Sequence, residues 1–205
     1  MRMKPQTQAL PTDFQLDIVH PSHGLWHDVV DHVSERYQQA FSADLKVYMP
    51  AYLTLLDNDE IASVCGFRIA ADEPLFLEQY LDAPAHEMIS QLFEQSVERN
   101  NLVEFGHLAS FAKGMSPLHF YLIAECLAEN GFEWCIFTAT DPLFALMSRL
   151  GLEPRLITCA DANKVVDAQK TWGTYYEYQP KVYAGNLIKG LQRLRLIQQN
   201  RRKQA

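Results

Sequence analysis

The sequence predicts one α/β (α+β) domain: a single mixed, mostly antiparallel twisted sheet with helices on both faces. Three observations carry that expectation. Apolar residues recur at three- and four-residue steps in some stretches and form short β-prone runs in others, so both periods share the chain. A hairpin signature around residues 57–60 is followed by strand–helix–strand segments, an order that gives a meander first and helical crossovers later. The chain has 205 residues, 48% of them apolar and 21% charged, which suits one soluble core.

Residues 1–22 read as a loosely held leader, broken by Pro5, Pro11 and Pro21 and lacking the apolar run of a secretory signal. From His23 to Phe41, the residues Trp26, Val29, Val30, Val33, Tyr37 and Phe41 mark an amphipathic helix. His20, His23, His27 and His32 gather there, but their further ligands are unspecified and several fall on the polar face, so no metal centre is read from them. Tyr52–Leu56 and Ile61–Ala70 flank Asp57-Asn58-Asp59-Glu60 and read as a β-hairpin. Leu75–Asp82 reads as a short strand or an irregular lining segment, and Ala85–Arg99 as a helix.

The stretch from Asn101 to Pro117 organises the rest. It combines a strand over 102–109, a glycine-containing loop, and Ser116-Pro117 as N-cap and first helical residue. The helix Pro117–Asn130 is apolar on nearly every side and stops at Gly131. Trp134–Thr140 reads as a buried strand, Asp141–Gly151 as a short helix, Leu156–Cys159 as a strand and Asn163–Lys170 as a short polar helix. The aromatics Trp172, Tyr175, Tyr176 and Tyr178 precede a basic amphipathic helix over residues 185–205.

The net charge is −7, yet no acid follows Glu177, whereas Lys181, Lys189, Arg193, Arg195, Arg201, Arg202 and Lys203 all do. Such a basic arm suits an acidic partner surface, peripheral contact with an anionic membrane, or plain solvation; nucleic acid is not an expected partner. The 4 cysteines each sit alone in apolar sequence, as buried reduced thiols of a cytoplasmic protein do. No apolar run is long enough to span a bilayer.

Within the organising stretch, Gly106 suggests a β-bulge, which would turn Glu104 and His107 out of strict alternation, or a backbone that another group approaches closely. Lys113, Gly114 and Ser116 offer amides at a helix start, where a phosphate is favoured. Arg68 follows Gly66 by two residues in an apolar strand, so its cation needs an edge, an acid or a ligand. A structural Arg68–Glu104 pair joining two strands and a hydrogen-bonded core histidine at 107 are the simpler readings of the same residues.

The blocks GFRIA, LFLEQYLD, VEFGHLAS, GFEWCIFTAT, RLGLEP, WGTYY and YAG, in this order over about residues 30–190, resemble the thermostable hemolysin family. The resemblance implies the fold of the GNAT-type N-acyltransferases and a pattern similar to the acyl-homoserine-lactone synthases. Arg68 resembles their sheet arginine and Glu104 their glutamate on the central strand. His107 stands where they usually carry an arginine. Their N-terminal acidic pair for S-adenosylmethionine has no counterpart before the hairpin, so homoserine lactone is not implied as a product. In the loop that binds acetyl-CoA pyrophosphate in GNAT enzymes, Phe111 replaces an arginine or glutamine, Gly114 is kept, and Ser116 takes the place of the last glycine. Lys113 and Met115 complete the implied donor site.

The implied activity moves a fatty acyl group from an acyl carrier protein or CoA thioester to the amine of a small acceptor such as an amino acid. No tightly bound cofactor is implied; the acyl-CoA or acyl-phosphopantetheine thioester is the donor substrate. Glu104 is then the base, Arg68 its partner or the acceptor's anchor, and His107 or Tyr80 the proton donor to the leaving thiolate. Phe76, Leu77, Phe120, Phe137 and Phe144 are candidate acyl-pocket residues. The alternatives are a membrane-active protein working through the basic amphipathic helix, and a GNAT-like binding module without turnover.

Overall fold

In the computed structural model, residues 14–110 and 116–202 are described. Seven strands form one sheet: β1 (Phe14–Val19), β2 (Ala51–Asp57), β3 (Glu60–Ile69), β4 (Leu102–Ser110), β5 (Trp134–Ala139), β6 (Arg155–Cys159) and β7 (Lys181–Asn186). Their order is β1-β2-β3-β4-β5-β7-β6. Every neighbouring pair is antiparallel except β4–β5, so the sheet is mixed and mostly antiparallel, as expected. The helices are α1 (Trp26–Phe41), α2 (Ala85–Phe93), α3 (Ser116–Glu129), α4 (Asp141–Arg149), α5 (Ala168–Trp172) and α6 (Leu187–Arg202).

Each face of the sheet has its own core. Val29 and Val33 of α1 pack with Tyr52, Val64 and Ala109 on one side. Leu122, Ile123 and Leu127 of α3 pack with Leu53, Phe67 and Val103 on the other. The hairpin turns through Asn58 and Asp59 at φ 49° and 66°, the two positive values that a type I′ turn requires. The all-round apolar character of α3 has a physical reason: Ala124 on its outer side packs with Leu191 and Leu194 of α6.

Several boundaries depart from the sequence pattern. Residues 14–19, expected in the leader, pair with β2 as an edge strand, with Leu16 and Val19 buried. Leu75–Asp82 is neither strand nor irregular lining but a 3₁₀ turn over Phe76–Tyr80, followed by Leu81 in extended conformation. The helix expected over Ala85–Arg99 stops at Phe93, because Glu94 takes a left-handed φ of 54°; the apolar Val97 that prolonged the pattern is buried in the following loop. Asn163–Lys170 splits into a 3₁₀ turn at Ala162–Lys164 and α5. Residues 181–186 form β7 between β5 and β6, so the last helix begins at Leu187 rather than at Gly185.

That helix is part of the body. Leu187, Leu191 and Leu194 are buried, Arg193 Nε donates to the Leu150 carbonyl at 3.2 Å, and Arg195 pairs with the buried Glu125 at 3.3 Å. Its start lies beside Glu133, and Ile197 packs near Phe120 and Tyr121, so α6 runs antiparallel to α3. Three of the four cysteines are buried, but Cys159 on the edge strand β6 is exposed. Among the described residues, no helix is long and apolar enough to cross a membrane.

Candidate functional site

The parallel pair β4–β5 runs only from Leu102↔Trp134 to Phe105↔Phe137. Beyond that point β4 stays paired with β3 alone and β5 with β7 alone, so the sheet splays open. At the same height β4 carries the bulge: Gly66 faces Gly106, but Val64 faces Ala109, so β4 advances three residues while β3 advances two. His107 takes up the extra residue at a left-handed φ of 50°, a conformation of order 1–3 kcal/mol for a residue with a side chain. Residues 104 and 107 have opposite parity and would face opposite sides of a regular strand. The bulge puts both on the α1 side.

The facing glycines leave a groove that Met49 fills. A Cβ at Gly66 would lie 2.5 Å from Met49 Cγ, and one at Gly106 2.9 Å from Met49 Cε. Neither position accepts a side chain without moving Met49.

Arg68 and Glu104 are register partners on β3 and β4, and their Nε and Oε1 lie 3.7 Å apart. The Glu104 carboxylate is buried and accepts a hydrogen bond from the Leu77 N–H at 2.9 Å. Burial pushes its pKa up to about 7, against the Leu77 bond and the Arg68 charge. A carboxyl group poised near neutrality is suited to proton abstraction. Arg68 is loosely held for a cation whose side chain is only 13% exposed: it reaches Glu73 at 3.6 Å and the Pro74 carbonyl at 3.4 Å, and its buried Nε has no hydrogen-bond partner among the described residues. Tyr80 lies nearby, but its hydroxyl is tied to that of Tyr176 at 2.5 Å. Burial, then that bond, raises its pKa far above the ordinary tyrosine value.

His107 belongs to a different network. Its Nδ1 lies 2.9 Å from the Tyr52 hydroxyl, which also accepts the Met49 N–H at 3.2 Å. The Tyr52 proton is then best used toward Nδ1, which leaves the hydrogen of the neutral ring on Nε2. Burial, with Arg68 second, pushes the His107 pKa down to about 4, so the ring is neutral at pH 7. Tyr52 stacks on the ring at an interplanar angle of 16°, and Tyr37 and Trp172 meet it edge-on or tilted.

A cavity of about 610 Å³ opens beside the His107 network. On the α1 side it is walled by Tyr37, Phe41, His107 and Tyr175. It passes the splay at Phe105, Phe137 and Thr138, where the Tyr175 hydroxyl donates to Thr138 Oγ1 at 3.0 Å. It then continues beneath α3 and α4 along Phe120, Ile123, Leu143 and Met147.

Of the sequence-predicted site residues, the structure therefore brings His107 to the cavity and pairs Arg68 with Glu104 one residue away from its wall. Neither Glu104, Arg68 nor Tyr80 lines it. Phe120 and Phe137 of the expected acyl pocket do line it, whereas Phe76 and Leu77 pack in a separate core and Phe144 stacks on Tyr183. Phe111, Lys113, Gly114 and Met115 lie outside the described residues, and Ser116 is the first residue of α3. Tyr37, Tyr52, Thr138 and Tyr175 were not anticipated; the signal in the sequence was hydroxyl-bearing side chains within otherwise apolar segments, the WGTYY block included. Among the described residues, no three His, Cys, Asp or Glu side chains converge where a metal ion could sit. His23 Nδ1 instead accepts the Leu25 N–H at the start of α1.

A family model described as thermostable hemolysin matches residues 19–191. None of the curated protein sequences matches the chain. Among solved structures, the chain is similar to FeeM, an N-acyl amino acid synthase from uncultured soil microbes, with a TM-score of 0.57 and 13% identity over 86% of this chain and 92% of that one. It is similar to the CoA-dependent acyl-homoserine lactone synthase MesI (TM-score 0.56, 12% identity, 89% of this chain and 94% of that one). It is also similar to TofI in a ternary complex with an inhibitor and MTA (TM-score 0.55, 15% identity, 88% and 96%). The shared fold is the GNAT-like one that the sequence blocks imply.

Proposed function

We propose that this chain, which belongs to the thermostable hemolysin family, is an N-acyltransferase that moves a fatty acyl group from a thioester to the amine of a small acceptor. The observation that carries the reading is one cavity continuous through the splay, aromatic at the bulged His107 and apolar beneath α3 and α4. One of the similar structures is named as an N-acyl amino acid synthase and another as an acyl-homoserine lactone synthase, which agrees with it.

The thioester carbonyl sits at the splay, beside Gly106 and His107. Beyond Phe105, the β4 groups directed toward β5 have no strand partner among the described residues, so N–H donors are available to an oxyanion there. The acceptor enters on the Arg68 side. An amino acid places its carboxylate on the loosely held guanidinium, a fork suited to that group. Its amine nitrogen attacks the carbonyl carbon, the C–N bond forms, and the C–S bond breaks. Glu104, directly or through a water, takes the proton from the amine, and that proton finally protonates the leaving thiolate. His107 is neutral and carries its hydrogen on Nε2, so it contributes a hydrogen bond rather than a proton. The tightly held Tyr80 contributes to position rather than to proton transfer.

The donor is an acyl carrier protein or CoA thioester. An acidic carrier suits the basic outer side of α6, which ends near the start of α3. Leu187, Leu191 and Leu194 of the same helix are already buried in the body, so the apolar stripe they form is not open to a bilayer.

The test is thiol release by purified protein with acyl-carrier and acyl-CoA thioesters against a panel of amino acids. Acceptor-dependent release is expected, and Glu104→Gln is expected to lower kcat by roughly 10²–10⁴-fold. Release that this substitution leaves unaltered would sink Glu104 as the base, and no release with any pair would sink the reading itself.

A further inference from the structure

Resting on the acyl-transfer reading, we infer that the acyl group is a long chain whose bore runs past Gly190 to a second, polar mouth. At the end away from His107 the cavity reaches Leu152, Asn186 and Gly190, and there its wall includes the exposed side chains of Glu153, Arg155 and Lys189. The cavity thus opens to water again rather than ending in the core. Along β5 and β7 it spans the levels from Thr138, opposite Val182, to Asn186, opposite Trp134. Four strand residues at ~3.3 Å each give ~13 Å for this part alone, more than a hexanoyl chain needs.

Two glycines in this half have no other explanation. Gly190 lies inside α6, where glycine costs about 1 kcal/mol relative to alanine. The nearest atom to a Cβ built on it is Leu152 Cδ2 at 3.5 Å, an ordinary contact. Gly185 in β7 is likewise 3.5 Å from Cys135 Sγ. The contrast is with Gly173, where a Cβ would stand 2.1 Å from the Phe41 carbonyl oxygen. Protein packing forbids a side chain at Gly173 but not at Gly185 or Gly190. What those two share is the cavity wall. Their missing side chains are bore, and Gly190, close to the polar mouth, leaves the way to that mouth open.

A bore open at its far end gives a characteristic length profile. Each added methylene is buried until the chain reaches the mouth, and further ones emerge into water. Binding therefore strengthens with length and then levels off, whereas a closed pocket rejects chains that overfill it.

The experiment measures displacement of a fluorescent fatty-acid probe from the full-length protein by hexanoic, decanoic, tetradecanoic and octadecanoic acids, without acceptor. It is repeated as turnover with the matching CoA thioesters. Affinity is expected to rise from hexanoic to tetradecanoic acid and not to fall at octadecanoic acid. In Gly190→Leu the tetradecanoic-to-hexanoic affinity ratio should drop at least about tenfold, while the melting temperature does not fall because leucine is the better helix former. Gly190→Ala should shift the ratio in the same direction and serves if the leucine variant does not fold. An unaltered ratio in both variants, or a wild-type preference that collapses at octadecanoic acid, overturns the inference. Turnover with an unaltered length profile in Gly190→Leu removes the bore and leaves the acyltransferase. Length-dependent binding lost in Gly190→Leu, with no thiol release to any acceptor, does the reverse.

Discussion

Replacing Glu104 by glutamine is expected to make the protein more stable at pH 8 even as it removes the proposed base. The carboxyl group is 1% exposed, and burial lifts its pKa from 4.5 to about 7. An acid whose folded-state value lies above its unfolded one keeps its proton longer in the folded state. Stability therefore falls as pH rises from about 4.5 to about 7 and is level beyond. At 1.36 kcal/mol for each tenfold change, the difference of 7 − 4.5 amounts to about 3 kcal/mol. Glutamine imitates the protonated acid: it can still accept the Leu77 N–H, and it has nothing to ionise. Arg68 keeps Glu73 and the Pro74 carbonyl.

The wild-type curve alone does not isolate this effect. Burial pushes His107 and His119 down from 6.5 to about 4, so each adds stability as pH rises through about 4 to 6.5, the opposite sense. The difference between Glu104→Gln and wild type cancels the histidines. It should grow in favour of the variant by about 3 kcal/mol between pH 4.5 and pH 8. Urea unfolding followed by tryptophan fluorescence, at several pH values across that range, measures it. A difference that is flat, or that turns against glutamine as pH rises, refutes the account of Glu104 as a carboxylate ionised at a cost in stability.

Two other substitutions probe the surroundings of the bulge. Tyr52→Phe leaves the Met49 N–H and His107 Nδ1 without their shared partner. It should cost about 1–3 kcal/mol in chemical denaturation and lower kcat with little change in the acceptor KM. Gly173→Ala places a Cβ against the Phe41 carbonyl at φ 54° and breaks the seat of the 172–176 segment, whose Thr174 N–H bonds that same oxygen at 2.8 Å. A loss of more than about 1 kcal/mol, with Trp172 fluorescence shifted toward that of a solvated indole, is expected; an unaltered melting curve would refute this packing.

Much of the sheet was legible because its signals are local. The hairpin announces itself through Asp57–Glu60, β4 through VEFGHLAS with its glycine, and β5 through WCIFTAT. Gly106 was a readable signal in its strand, and both of its readings hold: β4 bulges beside it and Met49 approaches its backbone closely. Arg68 and Glu104 were linked by the need of a buried cation for a partner. The misses arise where tertiary contacts override pattern. β1 is short, and its six residues gain their reason only from the β2 edge. Val97 extends an apolar period into a loop because it is buried there, not because the helix continues. The KVYAGN strand went unread, and its last two residues were given to the basic helix, since its sheet neighbours β5 and β6 are distant in sequence. No local rule could place Tyr52, Tyr37 and Trp172 around His107, because they come from β2, α1 and α5.

Two buried histidines show why perturbed ionisation alone does not mark a site. His107 and His119 are both buried, and both are pushed down to about 4. His119, on α3, has both ring nitrogens committed: Nδ1 lies 2.7 Å from Ser63 Oγ and Nε2 3.2 Å from the Leu53 carbonyl. It resembles a catalytic Ser–His pair on paper, but Ser63 is 1% exposed and neither residue lines the cavity. Its imidazole is a hydrogen-bonded rivet between α3 and the hairpin. His107 has the same depressed basicity but stands at the splay, on a left-handed backbone, in the wall of the cavity. The chemistry of the two rings is alike; what sets His107 apart is the broken strand pairing beside it and the cavity it walls.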